Sequence, residues 1–173
     1  MRRQARRIDA LEGVDGGLVL GSGMAERFHQ RFFSAVPLPE GTRFESLTEA
    51  VCGFNVAGPK SRELLARLTN ADLGNEAFPF FRSRRISVSG IDCVAVRVSF
   101  TGDLGWELHC AEADQVALYA ALLEAGEEVG AGPVGSRALM SLSRTRSHES
   151  LKKRRCLTTT STRWCARPVG PRS

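Results

Sequence analysis

The chain predicts an α+β fold, with a split β-α-β unit built on an antiparallel sheet. Three observations lead there. Val94, Val96, Val98 and Phe100 alternate with Cys93, Ala95, Arg97 and Ser99, the two-residue period of a half-buried strand. Leu64, Leu65 and Leu68 recur at helical spacing. The elements between residues 51 and 125 then follow in the order strand, helix, three strands, helix, an order that suggests a split unit.

Taken in order, Leu18 to Leu20 is a short strand candidate that Gly21-Ser22-Gly23 ends. Met24 to Val36 reads as a helix with Phe28, Phe32, Ala35 and Val36 on one side, stopped by Pro37 and Pro39. Residues 37–48 read as a connector between two subdomains. Val51 to Val56 is the next strand. Gly58-Pro59 opens a helix from Lys60 to Leu68, because proline suits the first helical position. A loop rich in Asn, Asp and Gly follows. Arg82 to Val88 and Ile91 to Phe100 form a hairpin across Ser89-Gly90, and Trp106 to Cys110 is a third strand. Asp114 caps a helix through Ala125, with Val116, Tyr119, Ala120 and Leu123 as its apolar stripe and Gly126 as its stop. A last helix starts near Ser136. No internal repeat is visible.

The chain has 173 residues, enough for one ordinary domain with a real core. Its net charge of +5 is unevenly placed. Residues 1–7 carry four arginines; residues 8–143 carry 11 basic against 18 acidic side chains; residues 144–173 carry 9 basic side chains against Glu149 alone. The body is therefore acidic and both ends are basic. The five cysteines are odd in number and form no CxxC, which points to a reducing compartment, the cytoplasm or a mitochondrial matrix, without a disulfide framework. His29, His109 and His148 stand in no zinc-ligand spacing with them, so no metal is expected. No apolar run approaches the roughly 20 residues needed to cross a bilayer, so no membrane partner is expected. The tail has almost no apolar periodicity, and such a composition predicts no ordered structure.

The stretch from Ser99 to His109, SFTGDLGWELH, carries the chemistry. It places one carboxylate, Glu107, on a strand directly after a glycine turn in which Gly102 and Gly105 are free to take positive φ. A carboxylate held on a rigid strand accepts paired hydrogen bonds from a planar ligand that offers adjacent N–H groups. Without the motif, a strand glutamate is usually just a solvent-facing side chain.

That stretch resembles the folate-binding aminomethyltransferase (glycine-cleavage T-protein) family, in the form fused behind FAD-dependent dimethylglycine and sarcosine dehydrogenases. The family pattern Tyr-x-Gly-Glu-x-Gly-x-Glu is met by Gly102, Gly105 and Glu107, with Phe100 for the tyrosine and Asp103 for the first glutamate. GSGMAERFHQRFF at 21–33, AGPKSRELLARLT at 57–69, NEAFPF at 75–80 and GSRALMSL at 135–142 add to the resemblance, which covers residues 17 to 142. It implies a ferredoxin-like subdomain plus part of a preceding subdomain of the T-protein fold. The expected organisation is a basic, unmatched segment at 1–16, a partial first subdomain at 17–48, a ferredoxin-like folate-binding subdomain at 49–143, and a basic tail at 144–173.

The resemblance also implies a cofactor and a site. Tetrahydrofolate is the expected ligand, with Glu107, Phe100 and Arg137 as its contacts; FAD belongs to an oxidase domain or chain that acts as a partner. The implied activity is one-carbon (aminomethyl) transfer in glycine, sarcosine or dimethylglycine catabolism. Phe100 keeps the stacking face of the family tyrosine and lacks its hydroxyl. No catalytic residue is assigned, because Asp9, Glu12 and Asp15 do not match the context of the family aspartate. The chain is expected to be truncated at both ends relative to the family, its tail the product of a shifted reading frame or of a truncated gene. Two other readings stand beside this one: an inactive remnant, and a module that binds nucleic acid or an acidic partner through Arg2–Arg7 and Lys152–Arg155.

Overall fold

The computed structural model describes residues 17–19, 25–99, 102–135, 156–159 and 164–168. The fold is α+β. Its centre is β3 (Val51–Ala57), which pairs antiparallel with β6 (Gly105–Ala111) along its whole length, Val51 opposite Ala111 and Ala57 opposite Gly105. β4 (Ser83–Val88) and β5 (Ile91–Val96) form an antiparallel hairpin, and β5 lies against β6. β3 and β5 therefore run parallel with β6 between them, and α2 (Ser61–Ala66) lies in their connection. This is the split β-α-β arrangement, with β4 added at its edge.

The turn chemistry explains the hairpin. Ser89 and Gly90 both have positive φ, 52° and 81°, which matches the right-handed twist of the strands they join. The helix after β6, α3 (Gln115–Val129), ends at Gly130 rather than at Gly126. Gly130 takes the left-handed conformation and its N–H closes back on Glu127 and Gly126, whereas Gly126 is buried inside the helix. The buried stripe of α3 also differs from expectation. It comprises Leu118, Leu122, Ala125 and Val129, while Val116 is 80% exposed. The helix is apolar on two sides, and the side that continues to Val129 meets the sheet.

Six further strands and helices belong to the described chain. α1 (Glu26–Ala35) follows β1 (Gly17–Val19) and packs on β2 (Thr42–Ser46), a strand within the stretch read as a connector. Phe33, not Phe32, is the contact: its ring stacks on Phe44 at 5.4 Å, and Phe28 and Phe32 are exposed. β7 (Gly132–Pro133) follows α3. The composition of the tail predicts no order, yet β8 (Cys156–Thr159) and β9 (Trp164–Pro168) lie within it. β8 pairs with β3 on the side away from β6 and with β7 in parallel, and β9 bridges β1 and β2. A ladder needs only an open row of backbone N–H and C=O groups, not an apolar pattern, and β3 offers one there. Arg2–Arg7 and Lys152–Arg155 lie outside the described residues, as does the helix expected from Ser136. Among the described residues no helix is long and apolar enough to cross a membrane.

α2 and α3 cover one face of the large sheet. Phe54, Val56, Trp106 and Leu108 meet Leu64, Leu65, Leu118 and Leu122 there, with Phe54 stacked on Tyr119 at 5.9 Å. Three cysteines belong to this core. Cys52 and Cys110 are directly paired across β3 and β6, with their Sγ atoms 3.2 Å apart, and Cys93 is buried beside them. Burial first, then the hydrogen bond with Cys52, pushes the Cys110 thiol up. The sign follows from linkage: a thiol raised by folding stabilises fully below the unfolded value of about 8.5 and loses that contribution as pH climbs above it. Thermal midpoints are therefore expected to hold up to about pH 8 and to decline above it. A Cys110→Ala variant should flatten that decline, which a melting series from pH 7 to alkaline pH measures.

Candidate functional site

Successive residues of a strand point to opposite faces, so Trp106 enters the helix-covered core and Glu107 points the other way. On that second face Glu107 stands directly opposite Asn55, and His109 stands opposite Gly53. Val94 and Val96 flank them from β5, where they are the partners of His109 and Glu107. The result is a polar group of three with Gly53, Ala57, Gly105, Val94 and Val96 around it, and with Ser83 and Arg85 of β4 next along the same face. Asn55 is buried, the Glu107 side chain is 26% exposed, and His109 is 5% exposed.

His109 Nε2 lies 3.6 Å from Glu107 Oε2, an ion-pair separation that is too long for a hydrogen bond. Both imidazole nitrogens are shielded from solvent without a hydrogen-bond partner. Gly53 opposite the ring supplies the space for it. The carboxylate is thus held on a two-sided β ladder with water admitted from one side. An acceptor so fixed gives up little rotamer freedom when it binds a donor pair.

The turn before it is built by two different uses of glycine. Gly102 has φ +81°, as its place in the turn requires. Gly105 does not need positive φ; it is the first residue of β6, and a Cβ there would meet the Val56 carbonyl oxygen at 3.0 Å and Ala57 Cα at 3.2 Å. The turn is fastened to the start of α2, where the Leu104 carbonyl accepts from Gly58 N–H at 2.8 Å and from Ser61 Oγ at 3.0 Å. Phe100 and Arg137, the other two expected contacts, lie outside the described residues. The sequence reading missed Asn55 and His109. Asn55 was signalled by an amide inside the apolar run VCGFNVA, and His109 by its place two residues after Glu107 on the same strand. Among the described residues no group of three or more His, Cys, Asp or Glu side chains is arranged to hold a metal.

Known proteins resemble the chain over most of this region. Residues 127 in number are 36% identical to dimethylglycine dehydrogenase, mitochondrial, of Homo sapiens, covering 72% of this chain and 14% of that protein. Sarcosine dehydrogenase, mitochondrial, of Homo sapiens is 44% identical over 90 residues, 52% of this chain and 10% of that protein. An aminomethyltransferase of Caldanaerobacter subterraneus is 31% identical over 91 residues, 53% of this chain and 24% of that protein. The chain thus spans a small part of the length of each relative. Among solved structures, the heterotetrameric sarcosine oxidase of Corynebacterium sp. U-96 superposes with a TM-score of 0.45 at 22% identity, over 51% of this chain and 44% of that one. The family profile for the GCVT N-terminal domain matches residues 17–153, past Leu142 where the quoted motifs end. With that profile spanning most of its length, the chain belongs to the GCVT N-terminal domain family.

Proposed function

We propose that this chain binds tetrahydrofolate through Glu107 and serves aminomethyl transfer to that cofactor. The observation that carries the reading is the Glu107 carboxylate itself: a partly exposed acceptor fixed on β6 between buried Asn55 and buried His109. A carboxylate so placed fits a planar heterocycle with adjacent N–H groups, so the residues present suit the cofactor. Tetrahydrofolate, when bound, supplies the nitrogen that takes up a one-carbon unit. The chain's own part is to orient the ring through Glu107, with Phe100 and Arg137 as further contacts, and to keep the carboxylate in place from behind with His109 and Asn55.

The relatives named dimethylglycine dehydrogenase and sarcosine dehydrogenase support a role beside amine oxidation; catabolism of glycine, sarcosine or dimethylglycine, and an FAD-bearing domain or chain as partner, follow from the family resemblance. The mitochondrial relatives favour a matrix or, in a bacterium, a cytoplasmic location.

Titration calorimetry with a reduced folate tests this on the full chain. Two charge-assisted hydrogen bonds of about 1.5–3 kcal/mol each are lost in Glu107→Ala, so affinity is expected to fall at least a hundredfold. Equal affinity in a folded Glu107→Ala protein rejects the assignment. Binding of nucleic acid that weakens steeply with salt, in place of folate binding, would favour the basic-ended module instead.

A further inference from the structure

Two arginines stand together beside Trp106 without a carboxylate. Arg62 lies on α2, and Arg97 directly follows β5. Their guanidinium carbons are 5.9 Å and 5.7 Å from the centre of the Trp106 ring. Both donate to one atom: Arg62 Nη2 reaches Asn75 Oδ1 at 2.7 Å and Arg97 Nη2 reaches it at 2.8 Å. Arg97 Nη1 also donates to the Phe78 carbonyl at 2.6 Å.

Arg97 alone suffices to fasten the loop at 75–78 to the end of β5. Arg62 adds a second positive charge on an acceptor that is already engaged, and like charges at such a separation repel. Glu63 pairs with Lys60 and Arg67, Asp72 accepts from the Gly74 N–H, and among the described residues neither guanidinium has an ion-pair partner. Burial first, and then the charge of Arg62, holds the Arg97 guanidinium below the usual arginine range. Each guanidinium offers five N–H groups, and among the described residues three bonds engage the two together. Arg62 Nε is shielded from solvent and has no acceptor.

We propose that Arg62 and Arg97, placed side by side on Asn75 and Trp106, form a binding site for a small oxyanion, a carboxylate or a phosphate. Planar guanidinium forks match both groups in a two-bond geometry, and an anion between them relieves their repulsion. The site belongs to the helix-covered side of the sheet, since Trp106 and Glu107 point to opposite faces. It is therefore independent of the folate reading.

The test titrates the full chain with inorganic phosphate and, separately, with succinate, at an ionic strength fixed with chloride. Saturable one-to-one binding with a millimolar dissociation constant is expected for at least one of them. Arg62→Gln should weaken it about tenfold, the effect of losing one charge-assisted fork. Its melting temperature without the anion should be unchanged or higher. Arg62→Lys, which keeps the charge and loses the fork, should fall between. Saturation by phosphate alone identifies a phosphoryl ligand and saturation by succinate alone a carboxylate; either supports the site. Failure of both anions to saturate, or equal binding by the wild type and Arg62→Gln, overturns it.

Discussion

Replacing Trp106 by alanine is expected to destabilise the chain by about 3–5 kcal/mol, the range for removing a large aromatic from a core. Trp106 is fully buried, and its ring meets the edge of Phe78 at 6.4 Å and an interplanar angle of 71°. Its loss removes more than apolar contact, because Arg62 and Arg97 rest on that ring. Two guanidiniums would then border a void, and a void lined by charge is harder to collapse than an apolar one. Urea unfolding measures the effect as a lowered midpoint at an unchanged slope. A loss below about 1 kcal/mol would mean that the core closes over the site, contrary to this account.

The second large effect is expected at Gly105. Alanine there brings Cβ within 3.0 Å of the Val56 carbonyl oxygen and within 3.2 Å of Ala57 Cα. Both belong to the backbone of β3 and cannot swing aside as a side chain does. The strands must separate where the ladder begins, at a cost of about 1–3 kcal/mol. Because Glu107 follows two residues later on the same strand, Gly105→Ala is also expected to weaken binding of a reduced folate. Gly102 is the comparison. It has φ +81° and open space around it, so Gly102→Ala should cost about 1 kcal/mol for backbone conformation alone. Paired melts of the two variants decide between close approach and backbone conformation as the reason for glycine at 105. An equal loss in both would remove the close-approach argument.

Much of this architecture was legible in the sequence, and the reasons are local. Alternation fixed β5 and β6, Ser89-Gly90 fixed the hairpin of β4 and β5, and the leucine spacing with Pro59 fixed α2. What escaped was decided by tertiary contacts. The stripe of α3 was met only in part: Tyr119 and Leu123 pack against the core, but Gln115–Val129 is apolar on two sides, and the sheet buries Leu118, Leu122 and Val129 instead of Val116. β2 was hidden in a connector because its partner, β9, lies far along the chain, in a tail without apolar pattern. Of the site, Glu107 was legible from its motif. Asn55 and His109 were not, since their meaning arises from a register across two strands that no local pattern records.

That same register leaves the large sheet with two outer strands, and both are poor templates for another chain. β4 ends the sheet on one side and carries Arg84 and Arg85 in succession, both exposed. A second copy that added antiparallel along β4 would bring like charges opposite one another. β7 ends it on the other side with two residues, one of them Pro133, which has no N–H to donate. The sheet thereby resists edge-to-edge growth at both borders, by charge at one and by brevity at the other.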